Sequence, residues 1–196
     1  MPISAASLRA AAGQPDVAAD VPRRIANVRA LFALVWAAGV FIAVGHRVPT
    51  AHSDVPTVAA ALLASYPLID VIASLVGATR TDASSIVLRV NAALSALAVA
   101  AIAITAFGSD AGSTLVAFGA WAAVSGAIQF GVAVHRRRTQ GHQIPMLISG
   151  ALSTLAGVSF IASSGSHDPH LSIVGGYMAL GAVLYLLSAS RGQTAR

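Results

Sequence analysis

Cysteine, lysine and glutamate are all missing from this 196-residue sequence. Without thiols the chain has no disulfides, no thiolate metal sites and no cysteine nucleophile. Its bases are 12 arginines and its acids seven aspartates, so only 10% of residues are charged. A soluble domain needs more charge than that to meet water. Aromatics are also sparse, at 6%, so Trp121, Tyr177 and Tyr185 read as packing or interface anchors rather than as a ligand cage. The all-Arg, all-Asp, alanine-rich usage hints at a GC-rich bacterial genome.

What the chain does have is apolar bulk: 56% of it is hydrophobic and the mean hydropathy is +0.76. A membrane-spanning helix needs about 20 apolar residues. Six such runs occur, at about 28–45, 56–78, 86–107, 112–134, 145–163 and 171–190. The expectation is an all-α integral membrane bundle of six transmembrane helices in one domain, residues 25–191. A mobile cytoplasmic N-terminal tail, 1–24, precedes it and a short cytoplasmic tail, 192–196, follows. Short connections leave no room for a catalytic module outside the bilayer. The net charge of +5 sits beside helix ends where anionic headgroups can neutralise it, so the expected partner is the lipid bilayer and not nucleic acid. Eleven arginines fall on one side of this topology and only Arg47 on the other. The positive-inside rule then puts both termini in the cytoplasm, with the chain in the plasma (inner) membrane.

The helices also look repeated. "ALVWAAGVFIAVG" from Ala33, "ALAVAAIAITAFG" from Ala96 and "ALSTLAGVSFIAS" from Ala151 align, as do segments around Pro67, Gly126 and Gly181. This predicts three helical hairpins in one orientation. Small residues at four-residue spacing, Ser149, Ser153 and Gly157, and Gly175 with Ala179, supply close packing within the bundle, or a homo-oligomer face as the second reading.

Within "SYPLIDVIASL", Asp70 lies about 12 Å from the arginine-rich end of its helix at 1.5 Å per residue. An isolated ionised aspartate at such a depth costs about 2.5–3.5 kcal/mol, so it needs a partner or a proton. The next helix brings Arg89 and Asn91 in "VLRVNAAL". The expectation is an Asp70–Arg89 pair assisted by Asn91, with Tyr66 donating from position i−4. Gln129 is the counterpart of Asp70 in the second hairpin. The cluster either braces the fold or lines a polar cavity.

On the opposite face the loops gather His46, His52, His167 and His170 with Asp54, Asp110 and Asp168. Solvated loop residues are the plain reading, and a pH-responsive surface is the sharper one. No metal site or cofactor is expected. Nor is an enzyme: "AVSG" at Ser125 lacks the first glycine of an intramembrane serine-protease turn, and no histidine lies inside the last helix to activate the serine.

Six helices with "GAWAAVSGAIQFGVAVHRRR" followed by "MLISGALSTLAGVSF" resemble the HdeD-like family of small bacterial membrane proteins. The similarity is strongest over residues 115–190 and topological over 28–114. It implies a non-enzymatic multipass protein with a role in envelope or acid-stress tolerance, and it carries over no catalytic residue and no substrate. The alternative from the residues themselves is a small transporter or channel for protons or a small solute, with a polar lining around Asp70.

Overall fold

The computed structural model describes residues 17–45, 48, 50–79, 85–137, 144–166 and 171–191. They form six helices: α1 (Val17–Val44), α2 (Thr57–Ala78), α3 (Ser85–Gly108), α4 (Ala111–Arg136), α5 (Ile144–Ser163) and α6 (Ser172–Arg191), with no strand among the described residues. Four of them, α2 to α5, are long and apolar enough to cross a membrane. The apolar stretches of α1 and α6 are shorter, Ala30–Val44 and Ser172–Leu184. Large apolar side chains point outward on every helix, among them Leu31, Ile42, Ile72, Ile86, Leu97, Ile104, Leu155 and Leu180. A surface of that kind is stable against hydrocarbon and not against water, so this is a helical membrane protein.

The observed helices match the apolar runs closely except at α1. It begins at Val17, inside the stretch expected to be a mobile tail. At its other end α1 stops at Gly45, whose φ of +46° is a backbone state that glycine adopts without strain. Its N–H donates to the Phe41 carbonyl at 3.0 Å.

The helices close into a ring in sequence order, with α1 returning to α6. Contact alternates around it. The extensive pairs are α2 with α3, α4 with α5, and α1 with α6, while α1–α2, α3–α4 and α5–α6 touch less. The closely packed partners are therefore shifted by one helix from the expected hairpins.

The α4–α5 seam shows why these two pack so tightly. Gly112, Gly119 and Gly126 recur every seven residues on α4, opposite Ser164, Gly157 and Gly150 running the other way. A Cβ on Gly119 would lie 2.7 Å from the Gly157 carbonyl oxygen, and one on Gly150 would lie 2.6 Å from the Phe130 nitrogen. The backbones thus touch directly, and a seven-residue period keeps that face in register along both helices. The stripe facing α4 is Gly150, Ser153 and Gly157; Ser149, expected in it, is turned away into a cavity. Gly175 packs on the Phe41 ring of α1, so these small residues serve packing inside one chain.

We name the two ends of the ring for Asp110 and Arg136, which bound α4. Near the Asp110 end the interior is solid: Val40, Leu63, Ile102, Leu115, Phe160 and Val174 are fully buried. The connection between α1 and α2 is stitched onto α4 there. Ala111 and Gly112 donate their N–H groups to the Ser53 and Ala51 carbonyls at 3.0 and 2.8 Å, satisfying donors that a helix start leaves open. Asp110 caps the same helix by accepting from the Ser113 N–H at 2.7 Å. That bond holds its carboxyl below the ordinary value of 3.8, with His52, 3.7 Å away, adding to the effect. A depressed carboxyl stabilises the fold above its unfolded value and loses that contribution as pH falls through its folded value. Asp110→Ala should therefore lower stability by about 1 kcal/mol at neutral pH, and the difference from wild type should shrink only in strong acid. Thermal unfolding of both proteins across pH measures it; Asp110→Asn, an equally good cap, should behave nearly as wild type.

Candidate binding cavity

Toward the Arg136 end the bundle is hollow. A cavity of about 480 Å³ takes its walls from all six helices, from Ala33 on α1 to Leu184 on α6. Its polar lining comprises Asp70, Ser74, Asn91, Ser125, Gln129, Arg136, Ser149, Ser153, Tyr66 and Tyr177. Four of the five residues expected to cluster, Asp70, Asn91, Gln129 and Tyr66, line this one space.

The fifth, Arg89, does not. It is exposed, and no ion pair joins it to Asp70 among the described residues. Helical phase explains the difference: two residues apart on α3 is about 200° of rotation, so Arg89 and Asn91 cannot both face α2. The helix turns Asn91 and Ser95, a four-residue step, toward Asp70 instead. Asn91 Nδ2 donates to Asp70 Oδ2 at 2.7 Å and to Ser74 Oγ at 2.9 Å. Ser95 Oγ donates to the same Asp70 Oδ2 at 2.7 Å, and Trp121 Nε1 of α4 donates to Ser95 Oγ at 3.0 Å. Hydroxyls, an amide and an indole thus hold the acid where an arginine was expected, and Tyr66 is not among its donors.

Two acceptors stay open. Both hydrogen bonds to the carboxyl land on Oδ2, and none among the described residues reaches Oδ1. Asn91 is only 8% exposed, yet its Oδ1 has no hydrogen-bond partner. Leaving a buried acceptor unpaired costs about 1–3 kcal/mol, an expense that a bound donor would relieve.

Aromatic rings close the cavity on the Asp110 side. Phe118, fully buried, sits between Trp121 at 5.2 Å, Tyr66 at 6.1 Å, Phe160 at 6.2 Å and Tyr177 at 6.2 Å between ring centres. Most of these pairs are tilted or edge-on, the favourable arrangement for ring quadrupoles. Ser153 and Tyr177 share a hydrogen bond at 3.0 Å that ties α5 to α6 beside this floor.

No family model, curated protein or solved structure matches the chain. Its chemistry must be read from its own atoms: a half-buried carboxyl in a chamber of drug-like size, open acceptors at the inner end, an arginine at the outer rim and a sealed aromatic floor.

The expected histidine surface is represented by His52, which is 92% exposed beside Asp110. His46, His167 and His170 lie outside the described residues. No group of metal-ligating side chains occurs among the described residues. Sequence reasoning missed Ser74, Ser95 and Trp121. The four-residue steps Asp70–Ser74 and Asn91–Ser95 were the available signal for the first two, since such pairs share a helix face.

Proposed function

We propose that this chain is a non-enzymatic carrier of a small solute in the plasma (inner) membrane, with the chamber around Asp70 as its binding pocket. One observation carries the reading: a cavity walled by all six helices holds an intramembrane carboxyl, Asp70, above a floor of packed aromatic rings. Binding sites for small molecules are concave, mostly apolar and furnished with a few placed polar groups. Acids inside membranes ordinarily serve solute or ion paths. A closed brace between Asp70 and Arg89 would favour a scaffold, and that pair does not form.

The finer topology belongs to the same proposal. All six helices span, α1 and α6 included, and the arginine bias puts the Arg136 end and both termini in the cytoplasm. Alternating tight and loose contacts around the ring fit three related helix pairs surrounding a central site, as in transporters built on repeats. The pocket is then open to the cytoplasm. Kinship with the HdeD-like proteins and a role in envelope or acid tolerance are compatible with such a carrier, which would move solute in response to the stress.

The absence of cysteine makes the test direct. A cysteine placed at Ser149, on the cavity wall, should react with a membrane-impermeant thiol reagent, and faster from the cytoplasmic side, to which the pocket is open. One at Leu63, fully buried beyond the floor, should stay unreactive from both sides. No labelling of Ser149→Cys from either side would defeat the reading.

A further inference from the structure

We infer that the solute is a small protonated amine, its ammonium group set against Asp70 and Asn91 and its carbon body against the aromatic floor; the inference rests on the carrier reading above. The inner end of the chamber has an excess of acceptors. The amide and hydroxyl donors near Asp70 are already committed, Asn91 Nδ2 to Asp70 and Ser74, and Ser95 Oγ to Asp70. Among the described residues no hydrogen bond reaches Asp70 Oδ1 or the buried Asn91 Oδ1. Unpaired acceptors on two hydrogen-bonded side chains, one of them a carboxyl, select a group that only donates. An ammonium has three donors and no acceptor. A carboxylate or phosphate, which only accepts, would find no uncommitted donor beside Asp70 among the amide and hydroxyl groups that hold it.

The rest of the chamber decides between an organic cation and a bare metal ion. Its volume of about 480 Å³ equals that of roughly 16 waters at about 30 Å³ each. A sodium ion would leave most of this empty. Tyr66, Trp121 and Tyr177 line it, and aromatic faces attract an ammonium and cover hydrocarbon equally well. Ile128 and Leu180 extend the apolar wall. The arginine that lines the space, Arg136, is the last residue of α4, and no ion pair joins it to Asp70 among the described residues.

The experiment is calorimetric titration of the full chain in lipid nanodiscs with four probes: phenethylamine, phenethyl alcohol, 3-phenylpropionate and sodium chloride. Phenethylamine should bind at least tenfold tighter than the alcohol and the acid, a comparison that needs no variant. Asp70→Asn should weaken the amine at least tenfold and leave the alcohol unchanged. Asn91→Ala, which keeps the carboxyl, should weaken the amine by a smaller factor. Equal binding of amine and alcohol, failure of the amine to bind, or a sodium response that disappears in Asp70→Asn would each overturn the amine assignment. Failure of the amine with Ser149→Cys still labelled removes the solute class and spares the carrier reading; failure of both removes the two together.

Discussion

Phe118→Ala should both weaken the bundle and open the floor of the cavity. In a soluble core this substitution costs about 3–5 kcal/mol. In lipid the unfolded reference keeps the ring in hydrocarbon, so only the packing part of that loss applies; about 2 kcal/mol is expected. Phe118 is the ring that Tyr66, Trp121, Phe160 and Tyr177 all approach, so no neighbour can replace it without breaking another contact. The vacated space joins the chamber to the solid half. A cysteine at Leu63, unreactive in the parent, should then react from the Arg136 side. Unfolding in mixed micelles measures the first effect and thiol labelling the second. A destabilised variant whose Leu63→Cys stays silent would mean that the floor lies elsewhere.

Gly157→Leu should be at least as damaging, by a different route. Its missing side chain faces the Gly119 carbonyl and the Ala123 backbone of α4, atoms that cannot swing aside as a side-chain end can. Overpacking costs about 1–3 kcal/mol where neighbours can shift, and here the helices themselves must separate, so about 3 kcal/mol is expected. Separation would also widen the cavity, because Ser125 and Gln129 on α4 and Ser149 and Ser153 on α5 all line it. Gly176→Leu is the control. It is an exposed helical glycine with nothing near the position of a Cβ, and it should be tolerated or slightly stabilising, since glycine is a poor helix former. Melting temperatures of the two variants in one detergent decide the point. Similar values for both would show that the α4–α5 seam does not depend on backbone contact.

The helices were legible because apolar runs of membrane length leave little choice of structure. Depth was legible as well: Asp70 and Asn91 stand at similar distances from the Arg136 end, and they meet. Phase was the weak link. Arg89 and Asn91 were both assigned to Asp70, although a two-residue step puts them on nearly opposite faces of α3. Charge drew attention to the arginine, while the serine that actually donates, Ser95, is one of many in an alanine- and serine-rich chain. The stripe on α5 was found one residue out of register, with Ser149 in place of Gly150, because small residues are so frequent there that several spacings fit. A polar cavity around Asp70 was one of two readings of the sequence, but its size and walls could not be read. It arises where six helices fail to fill a shared space, and no single segment records that.

Chemical modification of the native chain tests the central claim most directly. Oriented vesicles are treated from one side or the other with a water-soluble carbodiimide and glycine ethyl ester, and the modified aspartates are mapped by peptide mass. Asp70 should be modified from the Arg136 side and protected from the Asp110 side, where Asp54 and Asp110 react instead. An Asp70 untouched from both sides, with those two surface acids fully modified, would contradict an open polar cavity around it.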